Sequence, residues 1–218
     1  MTVTTEVGLS VQMREGSQAE HKDAEGSSFM ASLLDSKVNE TGYTEYLAML
    51  RPIYAALEEV GARLADDPVA GELIDPVLNR LAAIDEDLAF WTAGGEIPQI
   101  SSPAVDAYVA RIKASEADPA LFVAHHYTRY LGDLSGGQAI GRILARAFEL
   151  EAGKGIAFYQ FDAIEKPKLY KDGYRASLDA LPLTAEGKER VVAEVKVVFG
   201  LNGALFNELS QHLPRYAR

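Results

Sequence analysis

The 218-residue chain contains no cysteine. That excludes disulfides, thiolate metal sites, iron–sulfur clusters, cofactor attachment through a Cys-x-x-Cys-His motif and a cysteine nucleophile. It also fits a reducing cytoplasm. Basic residues are few against acidic ones, 21 Lys and Arg to 32 Asp and Glu, for a net charge of −11. Such a surface repels nucleic acid, and no basic run or RNA-type aromatic motif offsets it. No window approaches the roughly 18 apolar residues of a membrane span. Met1 to Ser10 lacks the basic start and apolar stretch of a secretory signal. The expectation is a cytoplasmic protein with no nucleic-acid partner and no membrane anchor. Alternating strand patterns and Asn-Gly or Asp-Gly hairpin signals are missing too, which argues against a sheet.

What remains is helical spacing in a chain that is 48% hydrophobic. The pattern predicts an all-α fold with helices near 10–25, 43–65, 70–92, 102–115, 118–149, 165–180 and 184–212. Prolines mostly mark boundaries; Pro52 falls inside a helical pattern and predicts a kink there. Asp118-Pro119 reads as an N-cap followed by proline at the first helical position, and Thr184 is a second cap candidate. Nothing repeats at a fixed period. The expected organisation is one helical domain over 9–213, with a flexible tail at 1–8 and a C-terminal tail at 214–218.

Only four histidines are present, at 21, 125, 126 and 212. The residues three before them are Gln18, Phe122, Val123 and Leu209, so the Glu-x-x-His pairs of di-iron bundles are absent, as is His-Glu-x-x-His. A single-histidine metal site survives. If 10–25 is one helix, Arg14 lies about 20° off the line of His21 and about 10.5 Å along the axis. That roughly matches the reach from a porphyrin's central iron to a carboxylate on its rim. Glu25, one turn onward, is placed to support an imidazole. The same residues also suit an ordinary solvated helix face.

A long helical pattern contains three glycines, at 132, 136 and 137, each costing about 1 kcal/mol against alanine. Two compensations are open: close packing by a neighbouring helix, or a flat ligand lying against bare backbone. Asp133 sits among them with Arg129 one turn before. That is either an ion pair worth a few tenths of a kcal/mol or a carboxylate held at a ligand face. Lys171 and Arg175 share a face and suit carboxylates, or plain solvent. In the last helix Asn202 interrupts the apolar stripe of Val195, Phe199, Phe206 and Leu209, and such a residue needs a partner.

The run from Ala124 through His125-His126-Tyr127-Thr128-Arg129-Tyr130-Leu131-Gly132-Asp133-Leu134-Ser135-Gly136-Gly137-Gln138 closely resembles the distal-helix signature of heme oxygenases. His21 to Met30 is similar to that family's proximal helix. Ile53 to Glu59, Asp87 to Trp91, Tyr174-Arg175 and the segment from Phe199 to Leu209 match as well, so the resemblance covers nearly the whole chain. It implies a helical bundle holding heme b between a proximal helix and a kinked distal helix. It further implies that His21 ligates the iron with Glu25 as its support. Gly132, Gly136 and Gly137 would pass over the distal face. Asp133 would anchor a water network with Tyr54, Arg129 and Asn202. Arg14, Tyr127, Lys171 and Arg175 would meet the propionates, and Phe199 would line the pocket. Relatives often carry lysine where Arg14 stands, and Arg14 keeps that charge; His126 replaces a small residue found in some of them. His125 and His126 read as structural. The implied reaction takes heme, dioxygen and reducing equivalents to biliverdin, with the alpha isomer favoured, carbon monoxide and ferrous iron. The implied electron donor is a ferredoxin or flavin reductase. A non-catalytic heme carrier is the alternative, because it needs His21 and the cations but not Asp133 in its glycine frame. A heme-free helical protein of similar fold is a third.

Overall fold

The computed structural model describes residues 7–151 and 153–218. Of the tail expected at 1–8, residues 1–6 lie outside the described residues. The described chain forms α1 (Leu9–Gly16), α2 (Gln18–Glu25), α3 (Ser28–Leu34), α4 (Glu40–Arg63), α5 (Leu81–Trp91), α6 (Pro103–Ala114), α7 (Pro119–His126), α8 (Gln138–Ala147), α9 (Pro167–Ala180), α10 (Ala185–Gln211) and α11 (Leu213–Tyr216). Among the described residues there is no strand, and one isolated bridge joins Val38 to Ala217.

Short polar side chains open the long helices. Asn39 accepts from the Gly42 N–H at 3.0 Å, Ser102 from Val105 at 3.0 Å and Thr184 from Gly187 at 3.1 Å. Each satisfies an amide that the first helical turn leaves unpaired. Pro103, Pro119 and Pro167 stand at helix starts, where the missing N–H costs nothing. Asp118 precedes α7 as expected, but its side chain makes no capping bond.

Four boundaries differ from the sequence pattern. The helix expected at 10–25 breaks at Ser17, whose backbone turns to φ −115° and ψ 14° while its hydroxyl donates to Met13 O at 2.7 Å. A hydroxyl bonded back to the preceding turn competes with helix continuation. The pattern at 70–92 is helical only from Leu81; before it lie two 3-10 turns, Gly71–Leu73 and Pro76–Leu78, since Pro76 cannot supply a helical N–H. α3 went unanticipated. Ser27 caps it, and Phe29, Met30 and Leu33 are buried. The C-terminal tail is instead packed: Tyr216 is buried and donates to Glu45 Oε2 at 2.5 Å.

Two long helices organise the interior. α10 packs against α1, α2, α3, α6 and α7, and α4 against α5 and α6. Pro52 lies within α4, which runs on through it. α2 leans on α10, and the segment between α7 and α8 crosses beside them. That segment is not α-helical. It makes two successive π-turns, Tyr127–Leu131 and Asp133–Gly137, with Gly132 between them. The wider turns displace the backbone sideways, a device common at functional sites.

Candidate active site

A cleft opens between α2, α10 and the π-turn segment. It has an inner lobe of about 350 Å³ and an outer lobe of about 320 Å³. His21, Thr128, Gly132, Ser135 and Phe199 border both lobes.

His21 forms one wall. Its side chain is 51% exposed, and Nδ1 stands 3.4 Å from Glu25 Oε2. The Phe199 ring meets the imidazole edge-on, with centroids 5.1 Å apart and planes at 72°. A carboxylate thus stands beside one ring nitrogen and an aromatic ring against the imidazole plane, the kind of surroundings that orient an imidazole. The break at Ser17 removes the single-helix geometry assumed between Arg14 and His21. Both nonetheless border the outer lobe.

The opposite wall is bare backbone. A methyl group built on Gly132 or Gly136 would meet nothing within 4 Å, so both face open space in the cleft. At those two positions close packing by a neighbouring helix is therefore ruled out as the reason for glycine. Gly137 is different: its Cβ would lie 3.0 Å from the Tyr159 ring, and one on Gly141 would lie 2.9 Å from Tyr159 Cβ. Gly137 borders the inner lobe, yet the reason it lacks a side chain is close packing.

Asp133 borders the inner lobe between these glycines. Tyr54, from α4, donates its hydroxyl to Asp133 Oδ2. Arg129 donates Nε and Nη2 to the Tyr54 oxygen at 3.0 and 2.7 Å, and Nη1 to Asn202 Oδ1 at 2.8 Å. Its Nη2 is 3.6 Å from Asp133 Oδ1. The four groups predicted to act together are therefore one buried network. Arg129 is no surface ion pair but the hub joining α4, α10 and the π-turns. Burial pushes the Asp133 carboxyl above its ordinary range, while Arg129 and the Tyr54 hydroxyl pull it down. Burial likewise raises Tyr54 well above 10, so it remains a donor.

Arg14, Tyr127 and Arg175 border the outer lobe. Lys171 reaches the rim through Ser135, donating Nζ to its hydroxyl at 3.2 Å. The basic pair on α9 thus faces the cleft mouth, although Arg175 also contacts Asp172 at 3.1 Å. Arg14 is exposed and touches Glu15 at 3.3 Å.

The two buried histidines lie outside the cleft lining. His125 Nε2 is 3.1 Å from Glu194 Oε1, and His126 Nδ1 is 2.7 Å from the Tyr174 hydroxyl with the rings stacked at 3°. Burial lowers His126 to about 3, so both its packing and its charge state are those of a neutral core residue. The sequence reading missed Met30, Tyr46, Ile140, Phe158, Tyr159 and Phe206 in the inner lobe. It also missed Thr128 and Ser135. Their spacing of four and seven from Thr128 to Gly132 and Ser135 carried a signal, one face of a turn. Phe158 and Tyr159 come from a loop, where periodicity is silent.

A family model described as heme oxygenase matches residues 7–208. The chain is 38% identical over 209 residues to heme oxygenase 1 of Synechocystis, covering 95% of this chain and 87% of that one. It is 41% identical over 205 residues to heme oxygenase 1 of Rattus norvegicus, covering 92% and 71%. The crystal structure of heme oxygenase-1 from the cyanobacterium Synechocystis in complex with heme has a TM-score of 0.90 at 38% identity, covering 96% and 95% of the two chains. The structure of heme oxygenase from Leptospira interrogans has a TM-score of 0.87 at 37% identity, covering 93% and 100%.

Proposed function

The chain belongs to the heme oxygenase family, and from that we propose that His21 ligates the iron of a heme held in the cleft while Asp133 governs proton supply on the opposite face. The single observation carrying this reading is the pairing of walls: an exposed imidazole on one side, and on the other two glycines whose Cβ positions are empty. The cleft between them suits a flat ring, and a side chain at either glycine would project into it. Thr128 adds a buried hydroxyl without a protein partner on the same lining.

Bound heme supplies both the iron that activates dioxygen and the ring that is opened. The protein contributes binding, orientation and electrostatics. Glu25, 3.4 Å from His21 Nδ1, would support the imidazole while its other nitrogen holds the iron. Arg14, Tyr127, Lys171 and Arg175, at the outer lobe and its rim, would hold the propionates and so orient the ring. The backbone at Gly132 and Gly136 borders the cleft and would limit which edge of a bound ring is accessible; the alpha isomer is the proposed product. Asp133 acts through water. Its Oδ2 is occupied by Tyr54, and its other oxygen, with a raised affinity for protons, can hold a water in the inner lobe and pass a proton through it. Arg129 and Asn202 keep that carboxyl from swinging. A protein redox donor, a ferredoxin or flavin reductase, supplies electrons in this scheme, and dioxygen is the second substrate.

Hemin titration followed by anaerobic reduction and admission of oxygen tests the reading. The enzyme bleaches its Soret band and yields biliverdin and free iron; a carrier stays oxyferrous or autoxidises with its ring intact, which overturns the proposal. His21→Ala loses the imidazole-ligated spectrum. Asp133→Ala keeps heme but diverts it from biliverdin toward peroxidase-like oxidation. An unaltered biliverdin yield in that variant removes Asp133 from the mechanism.

A further inference from the structure

The aromatic wall of the inner lobe is held by buried charge. Ala157–Tyr159 make a single 3-10 turn, and α5 with the residue before it grips both ends. Asp87, 0% exposed, accepts from the N–H groups of Ala157 at 2.7 Å and Phe158 at 2.9 Å. At the other end Arg80, also buried, donates Nη1 to Gln160 O. The rest of its guanidinium binds the carbonyls of Val77, Leu78 and Asn79 at 3.2, 3.0 and 2.7 Å and lies 4.0 Å over the Phe161 ring. Trp91 Nε1 donates to Gly155 O at 2.8 Å. Gly155 has φ +72°, and a Cβ there would strike Phe90 at 2.6 Å, so position and residue type are both constrained.

A buried carboxylate whose partners are two amides is costly. Burial raises Asp87 to about 6 against the pull of those N–H bonds. Apolar packing commonly stabilises a loop as well or better, so placement is the benefit such a clamp offers. The turn it places touches the reaction machinery twice. Phe158 packs edge-on against Tyr54, centroids 5.3 Å apart at 78°, and Tyr54 is the donor to Asp133. Tyr159 lies against Gly137 and Gly141, filling the space their missing side chains leave.

We propose that Asp87 is a positioning residue for the oxygenation: by fixing the 157–160 turn, it sets the height of the glycine backbone in the cleft and the line from Tyr54 to Asp133. The proposal rests on the heme oxygenase reading of the site. Asp87 does not itself line the cleft; it reaches the lining only through the backbone N–H of Phe158. The charged and titratable groups about its carboxyl are Glu86 on α5 and Tyr43 on α4; the turn presents only backbone to it.

The chain's single tryptophan gives a readout that needs no heme. Trp91 emission in the heme-free protein reports the turn through the Gly155 bond. It is expected to follow protonation of the Asp87 carboxyl, which burial raises to about 6, and to lose that response in Asp87→Asn. A native chain with no such titration uncouples the carboxyl from the turn and overturns the proposal. In the heme-loaded protein, Asp87→Asn lowers biliverdin per heme roughly tenfold, a scale typical of sub-ångström misplacement. It also spreads the product over more than one ring-opened isomer, while heme affinity stays within about twofold. A purely structural role lowers Tm and leaves the isomer distribution alone, and that result overturns the proposal. If Asp87→Asn does not fold, Tyr159→Leu removes the turn's contact with Gly137 and Gly141 while leaving the carboxyl and its bonds to the turn intact, and an unchanged isomer distribution there is equally fatal. Absence of biliverdin from the native chain would instead strike at the family reading.

Discussion

At the residue scale, the glycines between 132 and 141 separate into two kinds by what a methyl group would meet. Gly136 faces open cleft, whereas Gly141 faces Tyr159 Cβ at 2.9 Å. Gly136→Ala is therefore expected to leave the heme-free protein as stable as before, or up to about 1 kcal/mol more so, because alanine favours helical backbone. The same substitution weakens hemin binding or redirects ring opening. Gly141→Ala is expected to lose about 1–3 kcal/mol through overpacking. Urea melts of both heme-free variants, with hemin titrations alongside, decide the matter; equal stability loss in the two would contradict the geometry. The sequence marked Gly132, Gly136 and Gly137 alike. It could not tell a glycine beside a cleft from one under a tyrosine, because Tyr159 arrives from a loop eighteen or more residues on.

At the element scale, three helices meet on one carboxylate. Glu194 of α10 takes the Arg111 guanidinium of α6 at 2.7 and 2.5 Å and His125 of α7 at 3.1 Å. Burial alone would raise its pKa, but Arg111 and His125 hold it at about 2. Glu194→Ala leaves a buried imidazole and a guanidinium without their acceptor and is expected to cost on the order of 3 kcal/mol. Arg111→Ala costs less, since that side chain is 44% exposed and water can replace part of what it loses. Equilibrium denaturation of both variants checks the order; a larger loss for Arg111→Ala contradicts it. Most helices here were legible from caps and prolines. The break at Ser17, the 3-10 turns before α5 and the π-turns were not, because each depends on a competing hydrogen bond or on what the widened turn packs against.

At the scale of the whole molecule, the buried imidazole of His126 couples folding to pH. Its pKa falls from 6.5 to about 3 on burial. Between those values the unfolded chain binds a proton that the native chain does not, so stability is lost as pH falls. The slope is at most about 1.4 kcal/mol per pH unit. Asp87 acts in the opposite sense between 3.8 and about 6, where the native chain holds the extra proton. The clean measurement is a difference. The stability gap between the native chain and His126→Gln shrinks by up to about 1.4 kcal/mol for each unit between pH 6 and 4. A gap that does not vary with pH removes His126 from the acid limb.

The order of residues along the chain was enough to determine the all-helical class, the resemblance that names the family, and the residue types of the site. Helical period, caps and a long local signature are properties of neighbours in sequence, and they can be read there. Tertiary structure decided which of those residues share a cleft. It joined Tyr54 of α4 to Asp133 and Asn202 of α10 to Arg129, set Gly137 apart from Gly132 and Gly136, and brought a distant turn under Asp87 to build the inner wall. Those relations depend on side-chain packing between segments far apart in the chain, and no local pattern encodes them.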